Sequence, residues 1–318
     1  MSGFDLLDRT ADFAKSQGMM IFGVAMYKDG VIRERRVMPA NDRNNVYSVA
    51  KAYTSAAVGL CVSEGLLDLT SSVYDVLCAK NGTVGGEGNI KGSCVHFASA
   101  EEDVPDLWKN ITVSQVLSQT TGFSEMFLDT DADNVYSYGT DDWLSLVLRH
   151  PLKFKPGEVF SYTDANYYLL SRIVAAAADM PMQDYLRKKL FAPLRIGSYA
   201  FAQCPAGHAV GASGLFIRCA DMAKLGALFL LGGVFGGKRY LSEEYVNLAL
   251  SPHTRASVDE DYGYGFFIPR KHGGRFAVCH GMFGQAVIID REREYVIAWQ
   301  AHEKNRTVRE LFDFVYDN

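Results

Sequence analysis

Apolar positions Phe4, Leu6, Leu7, Ala11, Phe13 and Ala14 recur at helical spacing and predict an amphipathic helix over residues 4–17, stopped at Gly18. Residues 20–27 then read as a strand, Lys28-Asp29-Gly30 as a hairpin turn, and 31–38 as the return strand. A helix follows, capped by Asn44 or Asn45 and ended by Gly65, with Tyr53, Ala56, Ala57, Leu60 and Cys61 on its apolar stripe. It is apolar almost all round, which predicts a central, buried helix. From 66 to 200 helical signals dominate: Thr112 is placed to cap a short helix, and further helices are expected over 141–148, 166–178 and 182–190. Residues 80–106, rich in Gly, Ser and acid, read as an insertion or surface loop. Two more helices, 219–231 and 242–250, flank a glycine-rich turn at 232–237. In the last third the period becomes two, giving strands over 263–268, 276–280, 285–290 and 295–300 before a closing helix over 306–316.

Strands at both ends of the sequence with helices between them predict an α+β fold, an α/β sandwich. One antiparallel sheet is built from both termini, terminal helices cover one face, and an inserted, mainly helical region lies over the other. The expected division is 1–65 with 200–318 as the sheet domain and 66–199 as the helical domain, with the active site between them.

Composition narrows the function. A hydrophobic fraction of 48% with 22% charged residues suits a globular protein, and a net charge of −5 without a long basic block argues against a nucleic-acid partner. No apolar stretch reaches the roughly 18 residues that span a bilayer, so no membrane association is expected. The N-terminus lacks a basic start followed by an apolar run, and the six cysteines are scattered without a Cys-x-x-Cys motif. A cytoplasmic location with reduced thiols is expected, although an even count also permits disulfides. The seven histidines show no paired ligand spacing, Gly211-Ala212-Ser213-Gly214-Leu215 breaks the Gly-x-Ser-x-Gly pattern at Leu215, and the glycine-rich 85–88 stretch lacks the lysine of a phosphate loop. No metal and no cofactor are expected.

One pair carries chemistry. Ser48 and Lys51 stand three apart at a helix start, hence on one face and within hydrogen-bond reach. A hydroxyl is a poor nucleophile until a neighbouring amine that can lose its proton activates it. Four further segments appear in order: 63–69, 111–122, 156–167 and 280–285. With 47–51 they resemble the serine β-lactamase-like family, the β-lactamase/transpeptidase-like proteins that include class C β-lactamases, penicillin-binding proteins, D-amino-acid peptidases and β-lactamase-fold carboxylesterases.

The resemblance implies an acyl-transferring serine hydrolase with Ser48 as nucleophile, Lys51 as base and Tyr162 of Tyr162-Thr163-Asp164 as proton shuttle. Asp164 stands where Asn is commoner, and an ionised Asp accepts hydrogen bonds without donating them. It also reads as a cap for the helix beginning near 165. Cys279-His280-Gly281 occupies the third motif with no lysine at its head. His280 is then either a substrate-facing cation or a satisfied buried imidazole. Gly281 allows close approach to the strand edge, and the backbone N–H groups of Ser48 and Met282, or Phe283 after a one-residue slip, are the candidate oxyanion donors. The expected substrates are small esters, amides or peptides. A non-turnover penicillin-binding or sensor-type protein, a true β-lactamase and a D-aminopeptidase are the alternative readings.

Overall fold

The computed structural model describes residues 3–78, 106–304 and 308–318. The expected loop at 80–106 lies almost wholly outside them. Strands β1 (Ile21–Lys28) and β2 (Val31–Arg36) form the N-terminal hairpin. Asp29 and Gly30 both take left-handed backbone angles at its turn, the twist that lets two strands reverse over two residues. Short strands β3 (Asn44–Asn45), β4 (Ala200–Phe201) and β5 (Leu215–Ile217) make a small sheet ordered β3-β5-β4, and β6 (Val234–Phe235) pairs with β7 (Lys238–Arg239). The C-terminal strands are β8 (Thr254–Arg255), β9 (Glu260–Tyr262), β10 (Phe267–Pro269), β11 (Phe276–Gly281), β12 (Gln285–Asp290) and β13 (Tyr295–Ala301).

The main sheet is ordered β2-β1-β13-β12-β11-β10-β9-β8, antiparallel at every pairing. Of the predicted strand over 263–268, Phe267 and Ile268 lie in β10, and the residues before them form a corner. Gly263 N–H donates to Phe266 O at 2.8 Å, and Gly265, at φ +86°, turns the chain between β9 and β10.

Ten helices occupy the described residues: α1 (Asp5–Ser16), α2 (Ala50–Ser63), α3 (Val73–Cys78), α4 (Val113–Leu117), α5 (Trp143–Arg149), α6 (Asp164–Ala178), α7 (Met182–Leu186), α8 (Cys219–Leu230), α9 (Glu243–Ala249) and α10 (Arg309–Asp317). The predicted helix over 182–190 runs as α7 and then as a π turn, Arg187–Phe191. Thr112 caps α4 in a reciprocal box with Gln115.

Period-two alternation explains the layers. Val24, Met26, Phe276, Val278, Ala286, Ile288, Ile297 and Trp299 face a core shared with Leu7, Ala11 and Ala14 of α1 and Leu311 and Val315 of α10. Their neighbours Ala25, Tyr27, Ala277, Cys279, Val287, Ile289, Val296 and Ala298 face the other core. That second face is covered by α8, which packs on β1, β12 and β13, rather than directly by the helical stretch 66–199. α2 lies deeper, against α6, α7 and α9, with every residue from Ala50 to Cys61 buried.

Candidate active site

The nucleophile turn is built from strain held by specific bonds. β3 pairs with β5, and Val46 N–H donates to Leu215 O at 2.9 Å. Tyr47 then takes φ +48°, which costs a non-glycine residue roughly 1–2 kcal/mol. Asn45 Oδ1 accepts from Tyr47 N–H at 2.9 Å, and the Tyr47 ring meets Phe283 edge-on at 5.2 Å. Asn45 therefore serves this turn. Neither Asn44 nor Asn45 caps α2, which is entered through a 3-10 turn, Tyr47–Val49. The consequence is a half-buried Ser48 with Lys51 one turn on, 1% exposed.

Lys51 Nζ donates to Asp164 Oδ1 at 2.7 Å, Ser48 Oγ at 3.0 Å and Ala212 O at 3.0 Å. An ammonium has three protons, and three acceptors take them. Burial alone would push this amine down, but the Asp164 carboxylate and the Tyr162 hydroxyl outweigh it, so Lys51 is held above its ordinary value. The resting lysine is thus an ammonium rather than the free amine expected beside the nucleophile. Asp164 is 4% exposed and is the first residue of α6, and the cap position belongs to Thr163. Its side chain makes no capping bond, so the cap reading of Asp164 is replaced by a buried ion pair.

Tyr162 lies in the extended segment just before α6, with Lys51 Nζ 4.7 Å from its ring centre. Phe267 of β10 stacks on Tyr162 (6.1 Å between ring centres) and on His280 (4.5 Å), so one ring spaces the other two. Burial, aided by the Lys51 charge, pushes the His280 imidazole down to about 4. The His280 ring is packed on Phe267, and burial favours its neutral form. Gly281 ends β11 against the nucleophile turn: a methyl group placed there would lie 2.6 Å from Val46 O and 3.1 Å from Ser48 N. Only glycine lets the strand approach so closely. Met282 is 41% exposed, and Phe283 takes φ +60°.

Several residues of the site were not legible in the sequence. The 211–214 stretch, dismissed as a broken elbow, supplies Ala212 O to Lys51 and Ser213 Oγ to Asp131. Asp129 and Asp131 lie in the connection between α4 and α5. Each offers an oxygen within 4.8 Å of the others and of Asp164, the one such acidic grouping among the described residues that could hold a metal ion. Burial and the Asp164 charge hold both above the usual carboxylate range, and the Lys51 ammonium already places a positive charge at Asp164.

Comparison with known proteins bears on the family and the fold. Penicillin-binding protein 4 of Amycolatopsis lactamdurans is 32% identical over 149 residues, 46% of this chain and 33% of that protein. The chain spans about half or less of the length of the curated relatives it matches. Among solved structures, the penicillin-binding protein of Bacillus halodurans superimposes with a TM-score of 0.71 at 17% identity, covering 97% of this chain and 98% of that one. A family VIII carboxylesterase does so with a TM-score of 0.73 at 15% identity, covering 100% and 98%. Among the described residues no helix is long and apolar enough to cross a membrane. The family model for Beta-lactamase matches residues 10–316, and with Ser48, Lys51 and Tyr162 gathered at one site, the chain belongs to the beta-lactamase family.

Proposed function

We propose that the protein hydrolyses small esters or amides through an acyl-enzyme on Ser48. The observation that carries this reading is the buried Lys51 Nζ set between Ser48 Oγ at 3.0 Å and Asp164 Oδ1 at 2.7 Å. As Ser48 attacks the carbonyl carbon, its proton passes to Lys51 while Lys51 passes one to Asp164, so the lysine stays charged throughout. The backbone N–H groups of Ser48 and Met282 receive the oxyanion. Tyr162 donates its proton to the leaving group, and the negative charge left on its oxygen meets the Lys51 ammonium. The proton parked on Asp164 returns through Lys51 to Tyr162. Water then attacks the acyl-enzyme, its proton passing through Lys51 to Asp164. The bond between the acyl carbon and Ser48 Oγ breaks as Tyr162 protonates Oγ, and the proton on Asp164 returns through Lys51 to Tyr162.

The charges favour esters over β-lactams. Asp164 accepts hydrogen bonds but offers no donor to an amide carbonyl, and His280 is uncharged at neutral pH and so does not attract a carboxylate. The carboxylesterase likeness is consistent with this, as is the likeness to a hydrolase with promiscuous acyltransferase activity. Ser48→Ala is expected to abolish both p-nitrophenyl ester hydrolysis and labelling by a fluorophosphonate, while the wild type clears short esters faster than a chromogenic cephalosporin. Labelling that persists in Ser48→Ala would remove Ser48 from the mechanism.

A further inference from the structure

Gln119 is fully buried and sits in the left-handed region at φ +61°. It ends α4 in a motif where Thr120 N–H donates to Gln115 O at 2.9 Å and Gln119 N–H to Val116 O at 3.2 Å. Glycine is the usual occupant of such a position because it alone takes this angle without cost. A glutamine kept there points to a use for its side chain.

That use is visible next door. Gln119 O accepts from Ser161 N–H at 2.9 Å, and Gln119 Oε1 accepts from Thr163 N–H at 3.2 Å. The two amides flanking Tyr162 are therefore held by one residue. The same Oε1 accepts from Asn166 Nδ2 at 2.6 Å, and Asn166 Oδ1 accepts from Thr121 Oγ1 at 2.9 Å, which ties the clamp to the first turn of α6. Thr163 is extended (φ −148°, ψ 144°), and holding the amides on both sides of Tyr162 restrains the backbone that carries its ring, whose centre lies 4.7 Å from Lys51 Nζ.

We propose that Gln119 is a positioning residue that holds Tyr162 where it can protonate the leaving group. This rests on the role given to Tyr162 above.

The test is Gln119→Gly, which suits the left-handed turn, keeps the backbone carbonyl that holds Ser161 and removes the side-chain oxygen that holds Thr163 and Asn166, combined with Tyr162→Phe and with the double variant. An alkyl ester needs a proton to expel its alkoxide, whereas p-nitrophenolate leaves without one. Gln119→Gly is expected to lower kcat/KM about 10-fold or more on an alkyl acetate, since small misplacements of a catalytic group cost rate steeply. On p-nitrophenyl acetate it should stay within about threefold of wild type, because that leaving group needs no general acid. In the Tyr162→Phe background, adding Gln119→Gly should cost nothing further. Gln119→Glu, which keeps an acceptor oxygen, should recover part of the alkyl-ester rate.

Equal losses on both esters, or losses that add in the double variant, would show a merely structural role and overturn the proposal. So would a wild-type rate in Gln119→Gly while Tyr162→Phe is impaired. If Tyr162→Phe itself is fully active on the alkyl ester, the role of Tyr162 fails first and the positioning role falls with it.

Discussion

Asp164 decides the chemistry of its neighbour. A buried ammonium without a partner would shed its proton, and a single carboxylate at 2.7 Å reverses that outcome. Asp164→Asn, which restores the commoner residue of the motif, leaves burial as the dominant influence and lowers the Lys51 pKa. At pH 7 the variant also lacks the last proton acceptor, so kcat/KM should fall about 100-fold or more. The rate should then recover as pH rises and Lys51 becomes a free amine. A pH profile that keeps the wild-type shape would argue against the Ser48–Lys51–Asp164 path. The identities of Ser48, Lys51, Tyr162 and Asp164 were legible because they stand in short motifs with characteristic spacing. The charge state of Lys51 was not, because it depends on a contact between residues 113 positions apart. Gln119, Asp131 and Ala212 escaped for the same reason, since each acts through a partner remote in sequence.

At the level of elements, the site is a meeting of three ends: the 3-10 entry to α2, the first turn of α6 and the last residue of β11. Hydrophobic periodicity located all three to within a few residues. It failed at 263–268, where apolar and aromatic residues alternate with glycines that in fact turn the corner between β9 and β10. It also could not say which helix covers the sheet, because α8 and α2 are both apolar on most faces. The contact between β11 and the nucleophile turn is the tightest of these junctions. Gly281→Ala would set a methyl group 2.6 Å from Val46 O, and because that atom is backbone the strand itself must move. Overpacking of this kind costs about 1–3 kcal/mol. A modest fall in Tm with at least a ~100-fold loss of kcat/KM is therefore expected. A variant as active as wild type would show that the approach of β11 to Ser48 is not needed for reaction.

For the molecule as a whole, His280 links the site to stability. It stacks on Phe267 and meets Phe312 of α10 edge-on, so it lies between the site and the terminal-helix layer. Burial lowers its pKa from 6.5 to about 4 in the folded state. The unfolded chain therefore binds this proton first. The contribution of the neutral imidazole is intact above pH 6.5 and is lost as pH falls toward 4. Melting temperatures measured between pH 7.5 and 4.5 should fall less for His280→Gln than for wild type, and parallel curves would rule out this coupling.

The pairing of β1 with β13 joins Ile21 to Ala301, so the sheet beneath the site closes only when both of these distant strands are present. Closing so long a loop adds little to the equilibrium cost, which grows only as the logarithm of length, but it dominates the route. During synthesis Ser48, Lys51, Tyr162 and Asp164 are all made well before β11, β12 and β13, which complete the support under the nucleophile turn. A ribosome-bound chain halted before β13 would hold every reacting side chain and still lack the surface that arranges them. An active arrangement at Ser48 is thus expected only once β13 has been made and has paired with β1 and β12.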